Sequence, residues 1–301
     1  METQITARSW AQIAALGLVW GATFLVMELA LRGLSPLWLA SGRIGFAALL
    51  TVAVWLWRGP RLFTTEARDW PALLLAATLT TAVPFMLLAW GLQHVTSGFA
   101  GVSMAAVVLI VLPLAHFLVP GEKMTLRRTL GFLIGFAGIV VLIGPGALSS
   151  SGAEAELLGR LACLGAAACY AISSITVRRL PPVDPVGLTA ATFLLGCVIV
   201  IPAARLVEGP LPPVDGTTLF YVVLLGMVPT AAANLLRILV IRSAGPVFMG
   251  LVNYIVPVVS VVLGALILGE PLPPTLLGAM ILILAGMGLS QYGALRRLFS
   301  R

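Results

Sequence analysis

Eight side chains in this sequence could meet a small molecule inside a membrane: Trp20, Phe24, Arg43, Tyr170, Ser174, Asn234, Asn253 and Tyr254. Each lies within a long apolar run, where polar groups are costly and tend to mark a substrate path. Arg43 could grip a carboxylate through two parallel hydrogen bonds. Its alternative is structural: an ion pair with Glu28, near the outer end of the first apolar run, or bonds to backbone carbonyls. Asn253 and Tyr254 precede Pro257, whose missing N–H leaves the carbonyl of Asn253 without its helical partner. An amide there holds either a polar substrate or a neighbouring helix. Asn234 and Arg237 share one helical face after the break expected at Pro229, and Arg237 is near enough to the inner end to extend its guanidinium to water.

Trp20 sits in mid-run, away from the interface that tryptophan prefers, with Phe24 one turn on. Tyr170 holds the matching place 150 residues later, with Ser173 and Ser174 beyond it. Two facing aromatics would wall a cavity; packing against a neighbouring helix is the other reading. Trp20, Tyr170 and Asn253 each fall ~12–18 Å into their runs at 1.5 Å per residue, close to one depth.

No reactive constellation accompanies these groups, so the sequence reads as a non-enzyme with no catalytic residues, no metal and no cofactor. Lys123 is the only lysine and Met124 follows it, which leaves no Gly-Lys-Ser/Thr nucleotide loop. Neither His94 nor His116 belongs to a His-Glu-x-x-His zinc pair. Gly101-Val102-Ser103-Met104-Ala105 lacks the final glycine of a nucleophile elbow. Cys163, Cys169 and Cys197 lie in apolar runs without metal or disulfide spacing.

The elements that must position such residues are membrane helices. With 60% hydrophobic and 10% charged residues and a mean hydropathy of +1.08, the chain has too few charges to clothe a soluble fold of 301 residues. Ten apolar runs are long enough to span: 10–31, 36–57, 70–92, 98–119, 127–144, 158–177, 185–205, 217–241, 245–268 and 275–295. The first is too long for the apolar core of a signal peptide. A Gly/Ser-rich linker at 145–157 divides them into halves, 1–144 and 158–301.

The halves repeat. The stretch from Gly245 to Glu270 matches that from Thr96 to Glu122 at an offset of 148, with Pro113 and Gly121-Glu122 answering Pro257 and Gly269-Glu270. Five helices is an odd number, so the second copy must enter from the opposite side: an all-α membrane protein of ten transmembrane helices in two inverted five-helix repeats. Thirteen basic residues fall on the connectors that share a side with the termini and three on the others, which places both termini in the cytoplasm. That scatter over short connectors offers no surface for nucleic acid. Gly131, Gly135, Gly278, Gly286 and Gly288 allow close approach, either within the bundle or in a homodimer.

The run Trp20-Gly21-Ala22-Thr23-Phe24, Arg43 in the second helix and the paired Pro…Gly-Glu endings resemble the drug/metabolite transporter superfamily, in particular its EamA-type ten-helix branch. The resemblance covers nearly the whole chain. It implies a carrier of the inner or plasma membrane that exports small metabolites, amino acids or related compounds foremost, by alternating access. It further implies a cavity between helices one, three, four, six, eight and nine, with five and ten as outer supports. Uptake or exchange of a larger polar metabolite such as a sugar conjugate, or drug efflux, are the alternatives within transport. A membrane scaffold or intramembrane enzyme is the alternative outside it, and the latter would need a catalytic pair at one depth. The partners expected are a small-molecule substrate and the lipid bilayer.

Overall fold

The computed structural model describes residues 6–119, 123–143, 154–244 and 246–299. They form ten membrane helices: α1 Ala7–Leu31, α2 Pro36–Trp57, α3 Trp70–Gly91, α4 Ser97–Leu118, α5 Leu126–Ile143, α6 Glu154–Arg179 and α7 Pro185–Val207. Next come α8, from Gly216–Leu225 to Ala233–Ala244, then α9, in the pieces Pro246–Met249 and Val252–Leu268, and α10 Pro274–Phe299. Among the described residues, nine helices are long and apolar enough to cross a membrane, and α9 is shorter. Residues 145–153 of the expected linker and Glu122 lie outside the described residues, and 154–157 belong to α6.

Three helices are interrupted, one of them at the break expected near Pro229. In α3 the residues Thr78–Ala82 form a π-helical turn just before Pro84, and in α8 Gly226–Ala232 form another around Pro229. Proline lacks the N–H that a regular ladder needs, and a π-turn redistributes the freed carbonyls. The two π-segments begin 148 residues apart, the offset of the sequence repeat. The third break, at Gly250 and Leu251, divides α9.

Helix termini meet carboxylates, which complement the positive end of a helix dipole. Glu208 accepts from the amides of Leu37 and Trp38 at 2.9 and 3.1 Å and from the Ser35 hydroxyl at 2.5 Å, capping α2. Glu270 accepts from the amides of Ser97 and Gly98 at 2.7 and 3.0 Å, capping α4. Trp38 donates to the Gly209 carbonyl at 3.3 Å and Trp55 to the Arg61 carbonyl at 2.7 Å, so a tryptophan near either end of α2 holds a connector in place.

Packing relies on small residues. Gly17 and Gly21 let α1 press on Ile255 and Val259 of α9, and Gly101 lets α4 press on Ser260. Gly131, Gly135 and Gly286 meet backbone to backbone where α5 crosses α10, so these three are used inside the bundle, whereas Gly278 and Gly288 face open space. The closest helix pairs are α5 with α10, α2 with α7, α4 with α6 and α1 with α9, joined by α3 with α6 and α1 with α8.

Candidate functional site

The π-segment of α8 is where the interior polar groups converge. At such a turn the carbonyls are displaced from the ladder and can accept from elsewhere. The Trp20 indole donates to the Pro229 carbonyl at 2.9 Å, so the mid-membrane position of this tryptophan has a polar reason as well as an apolar one. One residue on, the Thr230 hydroxyl donates to Leu225 O at 2.7 Å and accepts from Arg43 Nε at 2.7 Å. Asn234 donates from its side-chain amide to Thr230 O at 2.6 Å.

Arg43 is 7% exposed, a cation almost wholly inside the bundle. Its Nη1 donates to the Met27 sulfur at 3.2 Å, and its guanidinium lies 4.0 Å from the centre of the Phe85 ring. The ion pair with Glu28 expected as one alternative is not formed: Glu28 interacts electrostatically with Glu270 and Arg32 at the C-terminal end of α1. A hydroxyl, a thioether and an aromatic face satisfy part of the guanidinium. Its remaining edge, Nη2, makes no hydrogen bond with the described residues. The Tyr170 hydroxyl is in the same condition, and it lies near enough to Arg43 to interact with it electrostatically. Tyr170 packs against both hydrophobic clusters of the protein. It thus joins the two halves of the core at the level of Arg43.

The other expected residues divide. Phe24 is 5% exposed and packs against α4 at Gly101, inside the core rather than on a cavity wall. Ser174 returns its hydroxyl to Ala171 O of its own helix at 2.7 Å. The Asn253 amide donates to Gly250 O at 3.2 Å and so closes the break in α9, a structural use. Tyr254 differs from all of these: its hydroxyl is buried and has no partner. Because Gly17 packs on Ile255, Tyr254 lies about three residues inward of Trp20 along α1, ~5 Å by helix rise.

Sequence reading missed Thr230, Met27 and Phe85, and also the hydrogen-bonded pair Thr80 and Ser173 that ties the α3 π-segment to α6. The signal available was a threonine beside each helix-breaking proline, Thr80-Thr81 before Pro84 and Thr230 after Pro229. Between the C-terminal end of α1 and the N-terminal end of α8, a hollow of about 300 Å³ opens among Leu29, Arg32, Asp215, Thr218 and Tyr221.

Comparison with known proteins gives one consistent answer. The model of the EamA-like transporter family matches twice, over residues 9–144 and 157–291. The uncharacterized transporter YvbV of Bacillus subtilis is 25% identical over 282 residues, 91% of this chain and 88% of that one. The uncharacterized inner membrane transporter YedA of Escherichia coli K12 is 29% identical over 266 residues, 86% and 82% of the two chains. A solved crystal structure superposes with a TM-score of 0.68 over 97% of this chain and 99% of its own, at 21% identity, which is a likeness of fold.

Proposed function

We propose, from the premise that this chain belongs to the EamA-like transporter family, that it is a secondary carrier of the cytoplasmic membrane. It exports a small metabolite, an amino acid or a related compound, by alternating access. The observation that carries this reading is the junction of α1, α2, α6 and α8 at the π-turn. There neither Arg43 Nη2 nor the Tyr170 hydroxyl makes a hydrogen bond with the described residues, beside Trp20. Free donors on packed helices are what a substrate site needs, because binding then replaces water rather than breaking an internal bond.

The inverted repeat belongs to the same reading. Exchanging each helix for its counterpart five places on turns the α1–α9 contact into α6–α4 and the α3–α6 contact into α8–α1, while α2–α7 and α5–α10 map onto themselves. Two halves so related can rock about a central site, with the π-turns of α3 and α8 as the compliant points. A homodimer would use the face where Gly278 and Gly288 meet nothing.

The test is counterflow in proteoliposomes against a panel of amino acids and other small metabolites, without nucleotide. Saturable exchange of at least one compound is expected. Movement that requires ATP, or an unsaturable leak for every compound, would refute the carrier.

A further inference from the structure

Seven residues beyond Thr230, α8 carries a second interior cation, Arg237, ~10 Å further inward by helix rise. Its side chain is exposed although it shares a helical face with the buried Ala233, Val240 and Ala244. The outward face of α8 is the opposite one, which carries the exposed Ala232 and Leu239. An exposed guanidinium within a buried stripe places Arg237 in a solvent-open crevice of the bundle. It makes no hydrogen bond or ion pair with the described residues, and no charged group couples to it. Side chains on a helix lean toward its N-terminus, so this guanidinium tilts back toward Asn234 and Arg43.

Among the described residues the interior therefore holds two cations and no matching acid. Glu28, the only acid well within an apolar run, belongs to the outer end beside Arg32 and Glu270. Arg43 is bonded to neutral groups alone. Charges of one sign along a low-dielectric hollow focus a field that concentrates ions of the opposite sign. A zwitterion would bring an ammonium that finds no carboxylate there, whereas a bare carboxylate finds two guanidinium edges.

We infer that Arg237 and the free edge of Arg43 make this interior an anion-selecting path, and that its cargo is a small organic acid anion without a balancing ammonium group. The inference rests on the carrier reading and, within it, puts a small organic acid anion in place of the amino acid as cargo.

The test measures the field directly. With Cys163, Cys169 and Cys197 changed to alanine and Asn234→Cys introduced, the thiol is titrated with two methanethiosulfonates, the anionic sulfonatoethyl and the cationic trimethylammonioethyl reagent. Relative to a free thiol in solution, the anionic reagent should be favoured about tenfold or more. Arg237→Gln should cut that preference several-fold, and Arg237→Lys should retain it. A ratio equal to that of the free thiol, or one indifferent to Arg237→Gln, overturns the inference. Should Asn234→Cys not fold, phenylglyoxal labelling of Arg237 in the unaltered chain, read by mass spectrometry in vesicles, serves instead. Benzoate should slow it, and benzamide and benzylamine should not; equal effects, or no labelling, overturn the inference. Neither readout needs turnover. Failure of counterflow would sink the carrier reading, and reagent rates alone decide this one.

Discussion

Arg43 is stabilised inside the bundle by neutral groups, and that choice decides what each substitution at the site should do. A lysine keeps the charge but cannot span Thr230, Met27 and Phe85 at once. Arg43→Lys should therefore lower stability by about 1–3 kcal/mol, the range for losing hydrogen bonds to a charged group, and lower transport with it. Thermal unfolding in detergent beside counterflow reads both, and an unchanged melting temperature would contradict the bonding described here. Trp20→Phe removes only the bond to Pro229 O, a loss of about 1 kcal/mol, while keeping the aromatic wall. Tyr254→Phe should act in the opposite sense. Its hydroxyl is buried without a partner, so its removal should raise stability by about 1 kcal/mol. If that hydroxyl serves the substrate, transport should fall in the same variant, and a rise in both would assign it no part in binding.

At the scale of elements, glycine contacts and π-turns make opposite demands. Gly131→Leu would place side-chain atoms against the backbone of Gly286 and Ser290, and overpacking of this kind costs about 1–3 kcal/mol or more. Gly278→Leu meets open space and should leave the melting temperature unchanged. A lowering of equal size in both variants would mean that α5 and α10 do not cross as described. The π-turns are argued to be compliant, so Pro229→Ala should fold normally and slow exchange several-fold by favouring a regular helix; normal exchange rates would remove α8 as a hinge. The start of α8 carries a pH dependence. The Asp215 carboxyl lies below its usual range because the Thr218 hydroxyl and then the amides of α8 donate to it. Its contribution is complete above the ordinary carboxylate pKa and is lost as pH falls through the depressed folded value.

For the whole molecule, one family model matches each half and the helix contacts exchange between the halves; that the halves have opposite orientation belongs to the proposal. A reporter active only outside the cytoplasm should give signal when fused after Ser150 and none after Arg301. Signal at both, or at the C-terminus alone, would contradict an odd number of helices per half. Two caps cross between the halves. Glu208 follows α7 yet caps α2, and Glu270 follows α9 yet caps α4, so these two carboxylates of the second half each fasten a helix of the first. Glu270→Ala should destabilise by about 1–2 kcal/mol, as loss of a helix cap does, in thermal unfolding.

The sequence alone determined the number of helices, their approximate ends and the doubling. Each follows from local composition: apolar length sets a span, and proline or a charged connector ends it. It also pointed to Trp20, Arg43 and Tyr170, because a polar or large aromatic group at mid-membrane is conspicuous within its own run. Only the tertiary structure decided which way each helix turns. Lipid and protein core are both apolar, so a membrane helix shows almost no periodic contrast between its faces. Phe24 consequently proved to be core while Tyr170 bridges the two hydrophobic clusters, and the Gly131 stripe proved to face α10. For the same reason the partners of Arg43 and Trp20 were illegible: they lie 187 and 209 residues away, at Thr230 and Pro229. A displaced carbonyl at a π-turn is created by the fold around a proline, and no residue type announces which side chain will reach it.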